Sequence, residues 1–128
     1  MDLKRIFKRL ILLDLLLIVL IIASVFFESA EVTDFNTYFE NDYSNALLII
    51  WGIGLLIYLI NLFLLYKFKS IGKQIYFILF IVFIVLNLLA PPGAMDSWFY
   101  VLDGLGWATS GAVLVLLYFS PLKKEFEK

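Results

Sequence analysis

Apolar residues fill this chain in four long runs, residues 10–27, 46–66, 75–90 and 98–119, and polar residues gather in the segments between them. Each run approaches or reaches the roughly 20 residues with which a helix crosses a hydrocarbon layer of about 30 Å. The third run is the shortest, about 24 Å at a rise of 1.5 Å per residue. It is therefore read as recruiting Gln74 and letting the Lys73 side chain extend to the headgroup level.

The connection at residues 67–74 is too short to do anything but return the chain antiparallel. Pro91, Pro92 and Gly93 stop the third run, and Asp96 or Ser97 is placed to cap the fourth. The pattern predicts an all-α integral membrane protein forming one domain over residues 1–128, a four-helix antiparallel transmembrane bundle.

Only the first connection, residues 28–45, is long. Phe35, Tyr38, Phe39 and Tyr43 recur there at helical spacing among Asp34, Glu40 and Asp42, and Thr33 or Asp34 offers a cap. This predicts a short amphipathic segment on the outer membrane surface or over the mouth of the bundle; an irregular loop with aromatic anchors is the plainer reading of the same residues. Phe35, Tyr38, Phe39, Glu40 and Asp42 are the candidates for recognising anything that arrives from outside. Tyr43 and Trp98 are read as an outer aromatic belt, and Tyr66, Tyr76 and Tyr118 as an inner one.

Composition agrees with the pattern. A chain that is 63% hydrophobic cannot hide its apolar surface in a water-soluble core of 128 residues. The basic start and apolar first run resemble a secretory signal, but the run exceeds the about 7–15 residue core of such signals, and Glu28 and Ala30 make a poor cleavage site. The segment is expected to be retained.

Charge adds an orientation. Lys4, Arg5, Lys8 and Arg9 precede the first run, Lys67, Lys69 and Lys73 follow the second, and Lys123, Lys124 and Lys128 follow the fourth. Together they are all 10 basic residues of the chain. Glu28, Glu31, Asp34, Glu40, Asp42, Asp96 and Asp103 occupy the alternate connections or their edges. Short connections rich in Lys and Arg stay cytoplasmic, so both termini are predicted inside, with the chain in a bacterial plasma (inner) membrane. The basic face would meet anionic headgroups.

Without cysteine or histidine, thiol nucleophiles, His-dependent triads and Cys or His metal sites are all excluded, and no cofactor is implied. Asp14 lies near the inner boundary and Asp103 near the outer one, too far apart for an aspartyl dyad. The basic residues are short juxtamembrane groups without a reading module, so no nucleic-acid partner is expected. An enzyme is not expected.

Polar residues within the runs are the remaining candidates. Asp14 reads either as an ion pair with Arg9, Lys67, Lys69 or Lys123, or as a proton or cation site. Asn61 lies at nearly the same depth, within hydrogen-bonding reach in such a bundle, and Asn87 has Asp103 as its natural neighbour across the tight turn. In the fourth run, Gly104, Ala108 and Ala112 form one small-residue stripe, and Gly106 with Ser110 forms another alongside it, with Gly111 between them. Such stripes serve packing within a bundle, an oligomer interface or a pore lining.

In size, span number and an early acidic residue, the chain resembles the small multidrug exporters in architecture alone. An aspartate stands where they carry a glutamate, and the outer connection is long where theirs is short, so no residue role carries across. The leading expectation is a small polytopic membrane protein acting non-enzymatically through helix association, as an accessory subunit or an immunity or defence-type component. Its partners would be the bilayer and either a second copy, giving an oligomer, or another membrane protein. The alternative is an oligomeric cation or proton channel or transporter with Asp14, Asn61, Asn87 and Asp103 along its path.

Overall fold

The computed structural model describes residues 2–38 and 45–128, and every regular element within them is helical. In chain order these are α1 (Leu3–Ser24) with a 3-10 extension (Val25–Phe27), α2 (Ala30–Tyr38), α3 (Asn45–Tyr66), α4 (Ser70–Leu89), α5 (Ser97–Phe119) and a C-terminal 3-10 helix (Pro121–Phe126). Extended α1, α3, α4 and α5 are each long and apolar enough to cross a membrane. α1 packs most closely on α5 and α3 on α4, while α1 against α3 and α4 against α5 close the ring.

Two of these helices start earlier than the apolar pattern predicts. α1 begins at Leu3, where the Asp2 carboxylate accepts from the Lys4 N–H at 3.0 Å, so the basic residues ride on its first turns instead of preceding it. α4 begins at Ser70, taking in Lys73 and Gln74 and leaving residues 67–69 as the whole connection. That reversal is a Schellman turn. Phe68 adopts φ 55°, the Lys69 N–H bonds the Leu64 carbonyl at 3.0 Å and the Phe68 N–H bonds that of Leu65 at 2.9 Å. A left-handed residue other than glycine carries strain of about 1–2 kcal/mol. The Phe68 ring offsets it by packing 5.7 Å from Phe7 and 5.3 Å from Phe126. Gly72 then brings α4 against α3, since a Cβ there would lie 3.1 Å from the Leu64 Cβ and 3.2 Å from the Leu65 nitrogen.

Buried side chains concentrate at the basic end: Phe7 and Ile11 early in α1, Leu62 and Leu65 late in α3, Val113 and Leu117 late in α5. The C-terminal 3-10 helix folds back beneath them. Ser120 accepts from the Leu122 N–H at 3.1 Å, and Leu122 and Phe126 are buried. Lys4 bridges to Glu125 at 2.9 Å, Lys8 lies over the Tyr66 ring at 4.7 Å, and Lys73 lies over Tyr118 at 4.5 Å, so the three basic clusters meet at one end. Hydrogen bonds from Lys4 and then Lys128 hold the Glu125 carboxyl below its ordinary range. Tyr76 departs from the expected inner belt: it is 1% exposed, in the core.

At the other end α2 lies across the mouth. Thr33 sits inside this helix and does not cap it; Ser29 stands ahead of it, its hydroxyl accepting from the Val32 N–H at 3.4 Å. The Asn36 amide pairs with the backbone of Ala94, donating to its carbonyl at 3.1 Å and accepting from its N–H at 2.8 Å. Asp96 occupies the N-cap position of α5, but its carboxylate accepts from the Ser29 N–H at 2.9 Å and makes no cap bond. α2 is thereby fastened to the Pro-rich connection. Phe39, Glu40 and Asp42, with Tyr43, lie outside the described residues.

Candidate functional site

All four long helices send one polar side chain to a single point in the core. Asp14 of α1 is 3% exposed, and its Oδ2 accepts from the Tyr58 hydroxyl of α3 at 2.6 Å. The Tyr76 hydroxyl of α4 stands 3.3 Å from the same oxygen and 3.1 Å from the Tyr58 oxygen, and Ser110 of α5 places its Oγ 3.4 Å from Tyr58. Each hydroxyl carries one proton and accepts others, so Tyr58 donates to Asp14 and accepts from Tyr76 or Ser110. A carboxyl and three hydroxyls satisfy one another without a cation.

This corrects the expected ion pair. No basic side chain reaches Asp14, and the ion pairs among the described residues lie at the basic end, Lys4 with Glu125, Lys123 with Glu127 and Lys128 with Glu125. The depth explains it: Asp14 lies seven residues beyond Phe7, about 10 Å at 1.5 Å per residue. Between it and the lysines stand Ile11, Leu65 and the ring group of Phe7, Phe68 and Phe126.

The other predicted polar contacts also resolve differently. Asn61, buried one turn from Tyr58, donates to the Gly72 carbonyl at 3.0 Å instead of to Asp14, and its Oδ1 has no partner. Asn87 faces outward and donates to the Phe83 carbonyl of its own helix at 2.8 Å, not to Asp103. Asp103 is half-buried on α5 beside Trp107, one turn on. The structure brings Asp14 and Asn61 into the same half of the core and leaves Asn87 and Asp103 apart from them. Among the described residues no group of three or more acidic side chains converges to hold a metal ion.

The small residues of α5 divide between two faces. A side chain added at Gly104 would meet nothing within 4 Å, and Gly104 and Ala108 are exposed beside Val101 and Leu105. Gly106 turns toward Ile21 of α1, 3.8 Å from a Cβ placed there, and Ser110 joins the Asp14 cluster. Gly111 is unobstructed and Ala112 half-buried. Of the outer-surface candidates, Phe35 and Tyr38 lie exposed on α2.

Tyr58 was legible in principle, whereas Tyr76 stands at the edge of its run. A tyrosine in the middle of an apolar run, unlike one at its edge, must find a partner for its hydroxyl within the bundle. Comparison with protein-family models, curated proteins and solved structures finds no match to this chain.

Proposed function

We propose that the four long helices span a lipid bilayer with the basic end and both termini cytoplasmic, and that the protein acts there non-enzymatically by helix association. The partner is a second copy or another membrane protein, as for an accessory subunit or an immunity or defence-type component. The observation that carries this reading is the outward face of α5. Its stripe of Gly104 and Ala108 is open and unused by the chain's own packing, and close backbone approach in lipid is the physical use of such a surface.

The open space makes the test clean. Gly104→Leu and Ala108→Leu meet nothing inside the chain at Gly104 and little at Ala108, so the thermal melt is expected to hold while assembly, followed by mass photometry in mild detergent, weakens by roughly tenfold or more. Unchanged assembly with itself and with any copurified protein rejects this face.

A second reading, a proton or cation path, draws on the hydroxyls gathered around Asp14. Against it, Asn87 points away from the interior and aromatic rings close the basic end. Proton flux in proteoliposomes, abolished by Asp14→Asn, would favour it over association.

A further inference from the structure

Away from the Asp14 cluster, the opposite end of the molecule carries two clefts that share a wall. The first, about 510 Å³, lies under α2 and is bordered by Glu28, Asn36, Asp96, Trp98 and Phe99. The second, about 560 Å³, is an apolar groove between α1 and α5 bordered by Leu20, Ala23, Phe27, Val101 and Leu102. Ser24 and Trp98 line both, so the polar mouth runs into the groove. Each volume falls within the about 300–1,000 Å³ range of small-molecule sites.

The charge of the mouth is uncompensated. Glu28 accepts from the Asn36 amide at 3.2 Å and the Thr33 hydroxyl at 3.1 Å, and Asp96 accepts from the Ser29 N–H at 2.9 Å, all neutral donors. No Lys or Arg borders either cleft. Ser24 adds no donor, because its hydroxyl is spent on the Ile21 carbonyl. Two carboxylates beside the rings of Trp98 and Phe99 suit an ammonium group, which is attracted both by charge and by aromatic faces. An anionic headgroup is repelled, and a zwitterionic phospholipid would bring its phosphate against the same carboxylates.

We propose that mouth and groove form one site for a net-cationic, single-chain amphiphile of the bilayer, a long-chain ammonium, with its head at Glu28 and Asp96 and its tail along Leu20, Phe27 and Val101. The head supplies recognition and the tail supplies affinity through burial, so neither half suffices alone.

The test uses the full chain in phosphocholine nanodiscs, with Trp51→Phe and Trp107→Phe leaving Trp98 as the reporter at the junction. Dodecyltrimethylammonium brominated on its tail is expected to quench Trp98 saturably, and tetramethylammonium alone is expected to compete poorly. Glu28→Gln with Asp96→Asn preserves the oxygens that Asn36 and Ser29 use and is expected to raise the half-saturating concentration at least tenfold, with the melt unchanged. Val101→Phe, on an exposed wall of the groove, is expected to weaken the same probe independently of charge. Equal quenching in the Gln/Asn variant, or equal quenching by a brominated dodecylphosphocholine, overturns the proposal by showing partition into lipid without recognition of charge.

Discussion

Phe7→Ala is expected to be among the most destabilising single substitutions in this protein, costing about 3–5 kcal/mol, the usual range for removing a fully buried aromatic ring. Phe7 is 0% exposed and is the ring on which two otherwise unfavourable features lean. It packs against Phe68, whose left-handed backbone turns α3 into α4, and edge-on to Phe126, 5.6 Å away, which holds the C-terminal 3-10 helix beneath the bundle. Removing it withdraws support from both, so the cavity cannot close by a local shift. Unfolding in mixed micelles measures the loss directly. Phe119→Ala removes the same atoms from a side chain that is 86% exposed and serves as the control, with a change within about 0.5 kcal/mol. Similar losses at the two positions would mean that the aromatic plug does not form.

Tyr58→Phe follows, with an expected loss of about 1–3 kcal/mol, the range for a buried hydrogen-bonding partner left unsatisfied. Interhelical hydrogen bonds in membrane bundles average only about 0.6 kcal/mol. Tyr58 should exceed that average because its one hydroxyl touches Asp14, Tyr76 and Ser110, and its loss leaves Asp14 with Tyr76 at 3.3 Å. The phenylalanine keeps the ring contacts with Tyr76 and Phe83, so packing is nearly unchanged and the loss reports the hydroxyl. In an Asp14→Leu background the same substitution is expected to cost less than half as much. An equal cost in both backgrounds would show that the cluster is not energetically coupled.

The four long helices were legible because uninterrupted hydrophobicity over about 20 residues has few other solutions. Their ends were less so. Hydropathy sees Lys4 to Arg9 and Ser70 to Gln74 as interruptions, whereas helical hydrogen bonding continues through both because the charged groups still reach the surface. The C-terminal 3-10 helix escaped notice because its signal is short: a Ser120–Pro121 start followed by Leu122 and Phe126. From the sequence, Asp14 reads as a carboxyl near the inner boundary with a cation or Asn61 for its partner, whereas its partners are hydroxyls in the core. Tyr76, at the edge of the third run, reads as a belt residue and Tyr58 draws no reading from the sequence, and helix rotation turns both inward. The small residues of α5 were found as two stripes, and rotation again decides which one, Gly104 with Ala108, faces outward.

The most direct test of the transmembrane arrangement exploits the absence of native cysteine. Single cysteines at Glu31, exposed on α2, and at Lys124, exposed at the basic end, report the two ends of the bundle separately. In intact cells a membrane-impermeant maleimide is expected to label Glu31→Cys at once and Lys124→Cys only after permeabilisation. Labelling of both without permeabilisation, or of Lys124→Cys alone, would contradict a bundle that crosses the bilayer with its basic end inside.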